Sequence, residues 1–195
     1  MAALAPDFWE DRFQGGRTPW ERGQLNPAYL DWRERGDLAP CRVLVPGAGR
    51  SPEPEALQQA GFDVTALDLA DSAVAYQAGR LGPARAIHAD VTTWRTGAPF
   101  DVVYDQTCLC ALPPDLWQAY QASLRRWIRP GGHLFVLFMQ SKREGGPPFD
   151  CPLPAMRELF GAWSWPQTLG NPLPHGLGTE EVPAILERPD TFADE

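Results

Sequence analysis

Strand-like apolar segments alternate with helix-like segments along this chain from about residue 41 to about residue 140. The predicted strands lie at 42–46, 63–69, 85–90 and 100–105, and a fifth follows the turn at 130–132. The first of them, "RVLVP", is continuously apolar, as strands of a parallel sheet buried on both faces are. This alternation predicts an α/β fold with a mostly parallel central sheet and helices on both faces.

Residues that favour helix ends mark the predicted helices. Asn26 and Gly36 have the residue types expected at the start and just past the end of an N-terminal helix. Ser51 is predicted to cap the helix after the first strand, and a further helix begins at Asp71. A long helix is expected over about 114–128, and the last strands of the sheet are expected after residue 163.

The composition favours one ordinary globular domain. The chain has 195 residues, of which 44% are hydrophobic and 22% charged. This suits a single domain over 1–195, with an N-terminal extension at 1–40 and a core at 41–195. The start of the chain resembles no signal peptide, and no apolar run is long enough to span a bilayer. We therefore expect a cytoplasmic protein, and a monomer.

Charge and cysteine patterns argue against several partners. The formal net charge is −8, whereas nucleic-acid binding requires a concentrated positive surface, so no nucleic-acid partner is expected. Because no apolar run is long enough to span a bilayer, no membrane partner is expected either. The nearest basic stretch, Arg125, Arg126 and Arg129, is interpreted as a solvated helix face because its spacing is helical. The four cysteines form no C-x-x-C pair and there are only three histidines, so no metal site is predicted.

The turn after the first strand, within "VLVPGAGRSP", predicts a nucleotide-like ligand. Gly47 and Gly49 match two glycines of the dinucleotide fingerprint, but Pro52 occupies the position of the third. A proline there also removes a backbone N–H from the helix start that would bind a pyrophosphate. Asp68, at the end of the second strand, is placed to hold a ribose diol. The pattern suits S-adenosylmethionine better than NAD.

Two further acids end predicted strands. Asp90 follows the third strand in "HADV", and Asp105 ends the fourth in "YDQT". Because a ligand of an open α/β sheet lies outside the carboxyl ends of its strands, we expect Asp90 to meet an adenine edge. Asp105 would border the amino-acid part of the cofactor. Each acid alone has a simpler explanation as a cap or turn residue.

Longer motifs carry a family resemblance. The run "FWEDRFQGGRTPWERG" places Trp9, Phe13 and Trp20 at fixed spacing, and "LVPGAG", "LDLADSAV", "YDQTCLCALPPDLWQAY" and "GGPPFD" follow it. In these motifs the chain resembles the thiopurine S-methyltransferase superfamily, which includes plant-type halide and thiol methyltransferases, over about residues 8–189. The resemblance implies a Rossmann-like class I methyltransferase fold whose N-terminal run forms an aromatic lid.

The resemblance also implies a set of site residues. The cofactor contacts that it implies are Trp9, Phe13, Trp20, Gly47, Asp68, Asp90, Val91 and Gln106. The strand and turn pattern adds Gly49 and Asp105 to them. The lid suits a sulfonium cation, which is attracted to the negative face of an aromatic ring. The acceptor pocket is predicted to include Thr107, Cys108, Arg143 and Phe149.

The chain departs from both named subfamilies. Gln106 follows the aspartate that ends strand four. At this position thiopurine-type members resemble one another in having an arginine, and members of the plant halide group have a tyrosine. In "KREGGPPF", Arg143 and Phe149 stand where the halide group tends to have histidine and tyrosine. The acceptor is therefore not assigned to either subfamily. Arg143 either attracts an anionic acceptor or is an ordinary loop arginine.

Members of the family transfer the methyl group of S-adenosylmethionine to a small soft nucleophile such as a thiol, thiopurine, bisulfide, thiocyanate or halide. The sequence shows no Ser–His–Asp or Cys–His arrangement, so no general base is predicted. Three alternatives stay open. They are a methyltransferase of the same fold with an oxygen or nitrogen acceptor, a nicotinamide oxidoreductase, and a non-catalytic S-adenosylmethionine-binding module.

Overall fold

A computed structural model of the chain describes residues 6–176 and 178–191. Its elements divide into two units, Met1–Val91 and Thr92–Glu195. The expectation that the whole chain acts as one domain stays a prediction. Within the described residues, every helix is too short or too polar to cross a membrane. The expected cytoplasmic location and monomeric state also stay predictions.

The first unit alternates helices with parallel strands, as the sequence predicts. Its elements are α1 (Pro6–Gln14), α2 (Pro27–Glu34), β1 (Arg42–Pro46), α3 (Glu53–Gln59), β2 (Asp63–Asp68), α4 (Asp71–Leu81) and β3 (Ala86–His88). β1 pairs with β2 in parallel, and β2 pairs with β3 in parallel. Because the strands run the same way, the carboxyl ends of β1 and β2, Pro46 and Asp68, lie at the same edge.

Helix boundaries in this unit agree with the sequence at α2 and disagree at α3. The Asn26 side chain caps α2 by accepting a hydrogen bond from the Ala28 backbone N–H at 2.9 Å. Gly36 follows the helix end with a φ of +77°. The prediction that Ser51 caps the next helix is wrong, because the cap position is Pro52. The Ser51 N–H donates instead to a carbonyl of the preceding turn.

The second unit contains the remaining elements. They are β4 (Phe100–Asp105), α5 (Cys108–Ala111), α6 (Trp117–Trp127), β5 (Ile128–Gln140), α7 (Leu153–Leu159), β6 (Leu173–Pro174) and β7 (Glu180–Glu187). β4 and β5 are parallel, whereas β7 is antiparallel to both β5 and β6. The last strands therefore follow residue 163, as expected, and parallel pairing predominates among the first five strands. The α/β class is confirmed.

Two predicted segments differ from the structure. The third strand, expected over 85–90, spans Ala86–His88, because a 3₁₀ turn at Pro83–Arg85 precedes it. Asp90 therefore lies two residues beyond the strand rather than at its end. The helix expected over 114–128 begins as a 3₁₀ turn at Pro114–Leu116 and becomes α-helical at Trp117. Two adjacent prolines, which lack a backbone N–H, explain this irregular start.

The end of the same helix also differs from the prediction. α6 ends at Trp127, and β5 begins at once at Ile128. Its pairing with β4 shifts register between Phe100 and Val102, where the turn of Gly131 and Gly132 is accommodated. Arg129 therefore lies in the strand, so the interpretation of the three arginines as one helix face is wrong.

Candidate functional site

The glycine turn after β1 is held by the carboxylate that ends β2. Gly47 and Gly49 have φ values of +57° and +51°, which other residues adopt only with strain. One Asp68 carboxylate oxygen accepts the Gly49 N–H at 2.8 Å, and the other accepts the Ala70 N–H at 2.9 Å. Burial raises the pKa of Asp68, while these hydrogen bonds lower it. Asp68 thus connects the turn to the start of α4.

A second side chain, Gln77, supports the turn from α4. Its amide nitrogen donates to the carbonyl oxygens of Gly49 at 3.0 Å and Ser51 at 3.1 Å. This residue was not predicted from the sequence. The available signal was its spacing, because Gln77 lies four residues from Ala73 and from Leu81 on the buried face of α4. A polar residue at core spacing indicates a buried hydrogen-bond role.

The three lid aromatics form one cluster. Trp9 and Phe13 each meet the Trp20 ring edge to face, with centroids 5.6 Å and 5.9 Å apart. The cluster packs against the first turn of α4, and both indoles are partly exposed. A Cβ atom added to Gly49 would lie 3.6 Å from the Phe13 ring. The structure therefore brings the lid aromatics to the glycine turn.

Polar contacts attach the lid to the rest of the first unit. The Glu10 carboxylate accepts both the backbone N–H and the hydroxyl of Ser72, and these bonds lower the pKa of Glu10. The Arg50 guanidinium donates to the Phe13 carbonyl oxygen and lies 3.7 Å from a Glu21 carboxylate oxygen. These contacts were not predicted from the sequence, because residues far apart in the chain make them.

Asp90 and Val91 close the first unit. The Ala89 N–H donates to the Asp68 carbonyl oxygen at 2.9 Å, which ties this segment to the end of β2. Asp90 is partly exposed and Val91 is buried. A contact of Asp90 with an adenine edge stays a prediction.

In the second unit, the Asp105 carboxylate ends β4 and accepts three hydrogen bonds. One oxygen accepts the N–H groups of Cys108 at 2.9 Å and Leu109 at 3.3 Å, so it caps α5. The other accepts the Tyr120 hydroxyl at 2.8 Å. Burial raises the pKa of Asp105 to about 6, against the opposing effect of these bonds. Its role as a cofactor contact stays a prediction.

The residues after Asp105 differ in exposure. Gln106 is partly exposed, and its amide oxygen accepts the Tyr104 hydroxyl at 2.8 Å. Thr107 is also partly exposed, whereas Cys108 is buried in α5. α5 was not predicted from the sequence, because a four-residue helix is too short for a periodic pattern.

The loop after β5 is joined to α5 but leaves Arg143 in solvent. The Phe149 N–H donates to the Cys110 carbonyl oxygen at 2.7 Å, and the Cys151 N–H donates to the Met139 carbonyl oxygen at 2.8 Å. The structure thus brings Phe149 to α5. Arg143 is exposed and makes no hydrogen bond or ion pair with the described residues.

The buried thiols of Cys110 and Cys151 offer no nucleophile, and the described residues show no cluster of metal ligands. Burial raises the pKa of Cys110 and Cys151, so both thiols are protonated at neutral pH. No group of three or more His, Cys, Asp or Glu side chains within the described ranges is arranged to hold a metal ion.

Comparisons with known proteins identify the family of the chain. The sequence model of the thiopurine S-methyltransferase family matches residues 4–169. A probable thiol methyltransferase 2 of Arabidopsis thaliana is 30% identical over 157 residues, which are 77% of this chain and 70% of that protein. A thiopurine S-methyltransferase of Pseudomonas putida is 29% identical over 182 residues, which are 82% of this chain and 84% of that protein.

A solved structure is similar in fold over most of the chain. It is the 1,6-didemethyltoxoflavin-N1-methyltransferase of Burkholderia thailandensis, solved with 1,6-didemethyltoxoflavin and S-adenosylhomocysteine bound. The TM-score is 0.73 at 22% identity, covering 97% of this chain and 89% of that one. The predicted Rossmann-like class I methyltransferase fold is confirmed.

The elevated pKa of Asp105 predicts a pH-dependent stability difference. The ordinary pKa of an aspartate is 3.8, and that of Asp105 in the folded state is about 6. Between these two pH values the folded state binds more protons than the unfolded state, so the free energy of unfolding falls as the pH rises. Asp105→Asn carries no such charge and keeps the side-chain shape. The free energy of unfolding of the wild type minus that of Asp105→Asn should fall by about 2 kcal/mol from pH 4 to pH 7.

Urea unfolding at several pH values measures this difference. Asp115→Asn, which removes an exposed acid from the same unit, is the matched control and should leave the wild-type pH dependence unchanged. A difference between the wild type and Asp105→Asn that is constant or rises with pH would contradict the burial of this carboxylate.

Proposed function

Since the chain belongs to the thiopurine S-methyltransferase family and is a methyltransferase, we propose that it transfers the methyl group of S-adenosylmethionine to a small soft nucleophile. The observation that carries the proposal is the aromatic cluster beside the glycine turn in the first unit. The acceptor class includes thiols, thiopurines, bisulfide, thiocyanate and halides.

The donor groups of the first unit fit S-adenosylmethionine. The Asp68 carboxylate stands at a strand end beside the turn, and its two oxygens together have more acceptor capacity than their bonds to the N–H groups of Gly49, Ala70 and Leu69 use. The partly exposed indoles of Trp9 and Trp20 offer faces to a cation. The residues of this unit proposed to hold the cofactor are Trp9, Phe13, Trp20, Gly47, Gly49, Asp68, Asp90 and Val91.

The same turn fits a dinucleotide poorly. A pyrophosphate needs several backbone N–H groups at a helix start. Here the Gly49 N–H is bonded to Asp68, and the cap position of α3 is Pro52, which has no N–H. The Asp68 carboxylate, which is bonded to the turn, also repels a phosphate. These contacts support a phosphate-free nucleoside ligand.

Bound S-adenosylmethionine supplies an electrophilic methyl group, so the residues of the chain have to position the reactants and exclude water. An anionic nucleophile reacts faster where water is removed from it. We propose Thr107, Cys108 and Phe149 as walls of the acceptor pocket in the second unit. The buried thiols of Cys110 and Cys151 in this unit are protonated, and none of the three wall residues is a base. Both features suit an acceptor that arrives as an anion.

The acceptor itself follows from chemistry shared by the relatives. Their names specify a thiol and a thiopurine, both of which present sulfur as the nucleophile. We propose a sulfur acceptor, with thiocyanate and halide as further soft nucleophiles of the same class. The exposed Arg143 guanidinium is proposed to attract these anions, because the protein is otherwise acidic.

A turnover assay tests the proposed function. S-adenosylhomocysteine is measured after incubation of the purified chain with S-adenosylmethionine and benzenethiol, a thiopurine, bisulfide, thiocyanate or iodide, with a blank lacking acceptor. Phenol and aniline serve as matched oxygen and nitrogen controls for benzenethiol. We expect product with at least one soft nucleophile and none above the blank with phenol or aniline.

Two outcomes of that assay would contradict the proposal. Turnover of phenol or aniline at the rate of benzenethiol would favour an oxygen or nitrogen acceptor. No product with any acceptor, despite measurable cofactor binding, would favour a non-catalytic binding module.

A substitution in the lid tests how the cation is held. Trp20→Leu removes an aromatic face, so we expect the affinity for S-adenosylmethionine to fall about 3- to 30-fold. The affinity for S-adenosylhomocysteine, whose thioether is neutral, should fall less. Titration calorimetry measures both, and Trp20→Phe, which keeps an aromatic face, should restore most of the difference.

The matched control for this test is Trp165→Leu, which removes an indole from the second unit. It should change neither affinity. An equal loss of affinity for the charged and the neutral ligand in Trp20→Leu would contradict a cation–aromatic contact and indicate a packing role alone.

A further inference from the structure

The loop after β5 contains the one non-glycine residue with a positive φ among the described residues. Lys142, in the segment 141–150 that we call the β5 loop, has a φ of +53°. A residue with a side chain adopts this left-handed region at a cost in free energy, which other contacts have to offset. Such strain is typical of functional sites. The β5 loop carries Arg143 and Phe149, the two loop residues proposed to meet the acceptor.

The Asp150 carboxylate restrains Lys142 in this conformation. Its Oδ1 atom accepts the Lys142 backbone N–H at 2.9 Å. The Ser141 hydroxyl lies 3.5 Å from the same oxygen, at the outer limit of a hydrogen bond. The Lys142 ammonium is 3.7 Å from a Glu180 carboxylate oxygen, but both side chains are more than half exposed, and such ion pairs contribute little. The backbone contact with Asp150 is therefore the stronger restraint on the left-handed turn.

Asp150 stands where the β5 loop returns to the sheet. Directly after it, the Cys151 N–H donates to the Met139 carbonyl oxygen at 2.8 Å. The Gln140 amide nitrogen donates to the Cys151 carbonyl oxygen at 2.9 Å. These bonds join the two ends of the loop, and Cys151 is fully buried. Through Asp150, the exposed Lys142 backbone is thus fastened to a buried base.

The interior of the β5 loop packs against Phe149. A Cβ atom added to Gly146 would lie 2.6 Å from the Phe149 ring and 2.7 Å from the Phe149 backbone nitrogen, so only glycine fits there. The Phe149 N–H donates to the Cys110 carbonyl oxygen at 2.7 Å, which joins the loop to α5. The surroundings of the Phe149 ring therefore depend on the path of the backbone between Lys142 and Gly146.

The direction of Arg143 depends on the same backbone. Its side chain is exposed and makes no hydrogen bond or ion pair with the described residues, so the main chain at Lys142, the residue before it, directs it. We propose that Asp150 is a positioning residue for the acceptor, because it fixes the β5 loop in the arrangement that presents Arg143 and Phe149 to it. This inference rests on the proposed function, in which catalysis depends on the alignment of the reactants.

Kinetics of Asp150 variants of the full chain test this role, with the best soft nucleophile of the turnover assay as acceptor. Asp150→Ala should lower kcat/KM for the acceptor about 3- to 10-fold, because one hydrogen bond is lost. The affinity for S-adenosylhomocysteine should stay unchanged. Asp150→Asn, which keeps an acceptor oxygen, should retain most of kcat/KM. Asp115→Ala, which removes an exposed acid from the same unit, is the matched control and should change neither quantity.

A second set of variants separates positioning from a direct contact with the acceptor. Asp150→Ala is measured in a Lys142→Gly chain, where the left-handed turn carries no strain, and in a Lys142→Ala chain, where it does. We expect the Asp150→Ala loss of kcat/KM to be about 3- to 10-fold in the Lys142→Ala chain and less than about 2-fold in the Lys142→Gly chain. A direct contact of Asp150 would give equal losses.

Trypsin digestion reports the state of the β5 loop without methyl transfer. Cleavage after Arg143 should be about 3- to 10-fold faster in Asp150→Ala than in the wild type, because proteolysis follows local opening of the backbone. Melting temperatures establish that the variants stay folded.

Three results would overturn the inference. They are unchanged cleavage in Asp150→Ala, an unchanged kcat/KM for the acceptor in that variant, and equal losses in the Lys142→Gly and Lys142→Ala chains. No turnover by the wild type would contradict the proposed function and remove the acceptor role with it, whereas unchanged cleavage in Asp150→Ala would contradict this inference alone.

Discussion

The first unit depends on one buried carboxylate, Asp68. Its two oxygens bind backbone N–H groups on either side of it, those of Gly49 in the turn after β1 and of Ala70 before α4. A buried carboxylate is costly unless it is hydrogen-bonded, so the turn and the helix start are held in the one arrangement that satisfies it. Gln77 binds the carbonyl side of the same turn. The lid aromatics then pack on a surface that this arrangement creates.

The second unit uses the same device at the end of β4. The Asp105 carboxylate binds two N–H groups of α5 and the Tyr120 hydroxyl. In both units, an acid at the carboxyl end of a parallel strand organises the next stretch of backbone. This explains why such acids combine a structural role with a place at the edge where ligands of α/β proteins bind.

How far the sequence predicted this structure depends on the range of the interactions. β1, β2 and β4 were predictable because their apolar runs are local, and Gly47 and Gly49 because a left-handed turn needs glycine. The lid was found by resemblance, since Trp9 and Trp20 alone suggest an ordinary apolar stripe. The contacts of Glu10 with Ser72 join residues distant in sequence and leave no local signal. Likewise, only folding brings Arg188 to the arginines near residue 125, which turns an apparent helix face into a cleft.

The central claim is that the turn after β1, organised by Asp68, binds S-adenosylmethionine rather than a dinucleotide. Titration calorimetry of the wild-type chain with S-adenosylmethionine, S-adenosylhomocysteine and NAD in one buffer tests it most directly. The account predicts saturable binding of the first two at one site per chain and no measurable binding of NAD. Binding of NAD with comparable affinity, or no binding of S-adenosylmethionine, would contradict it.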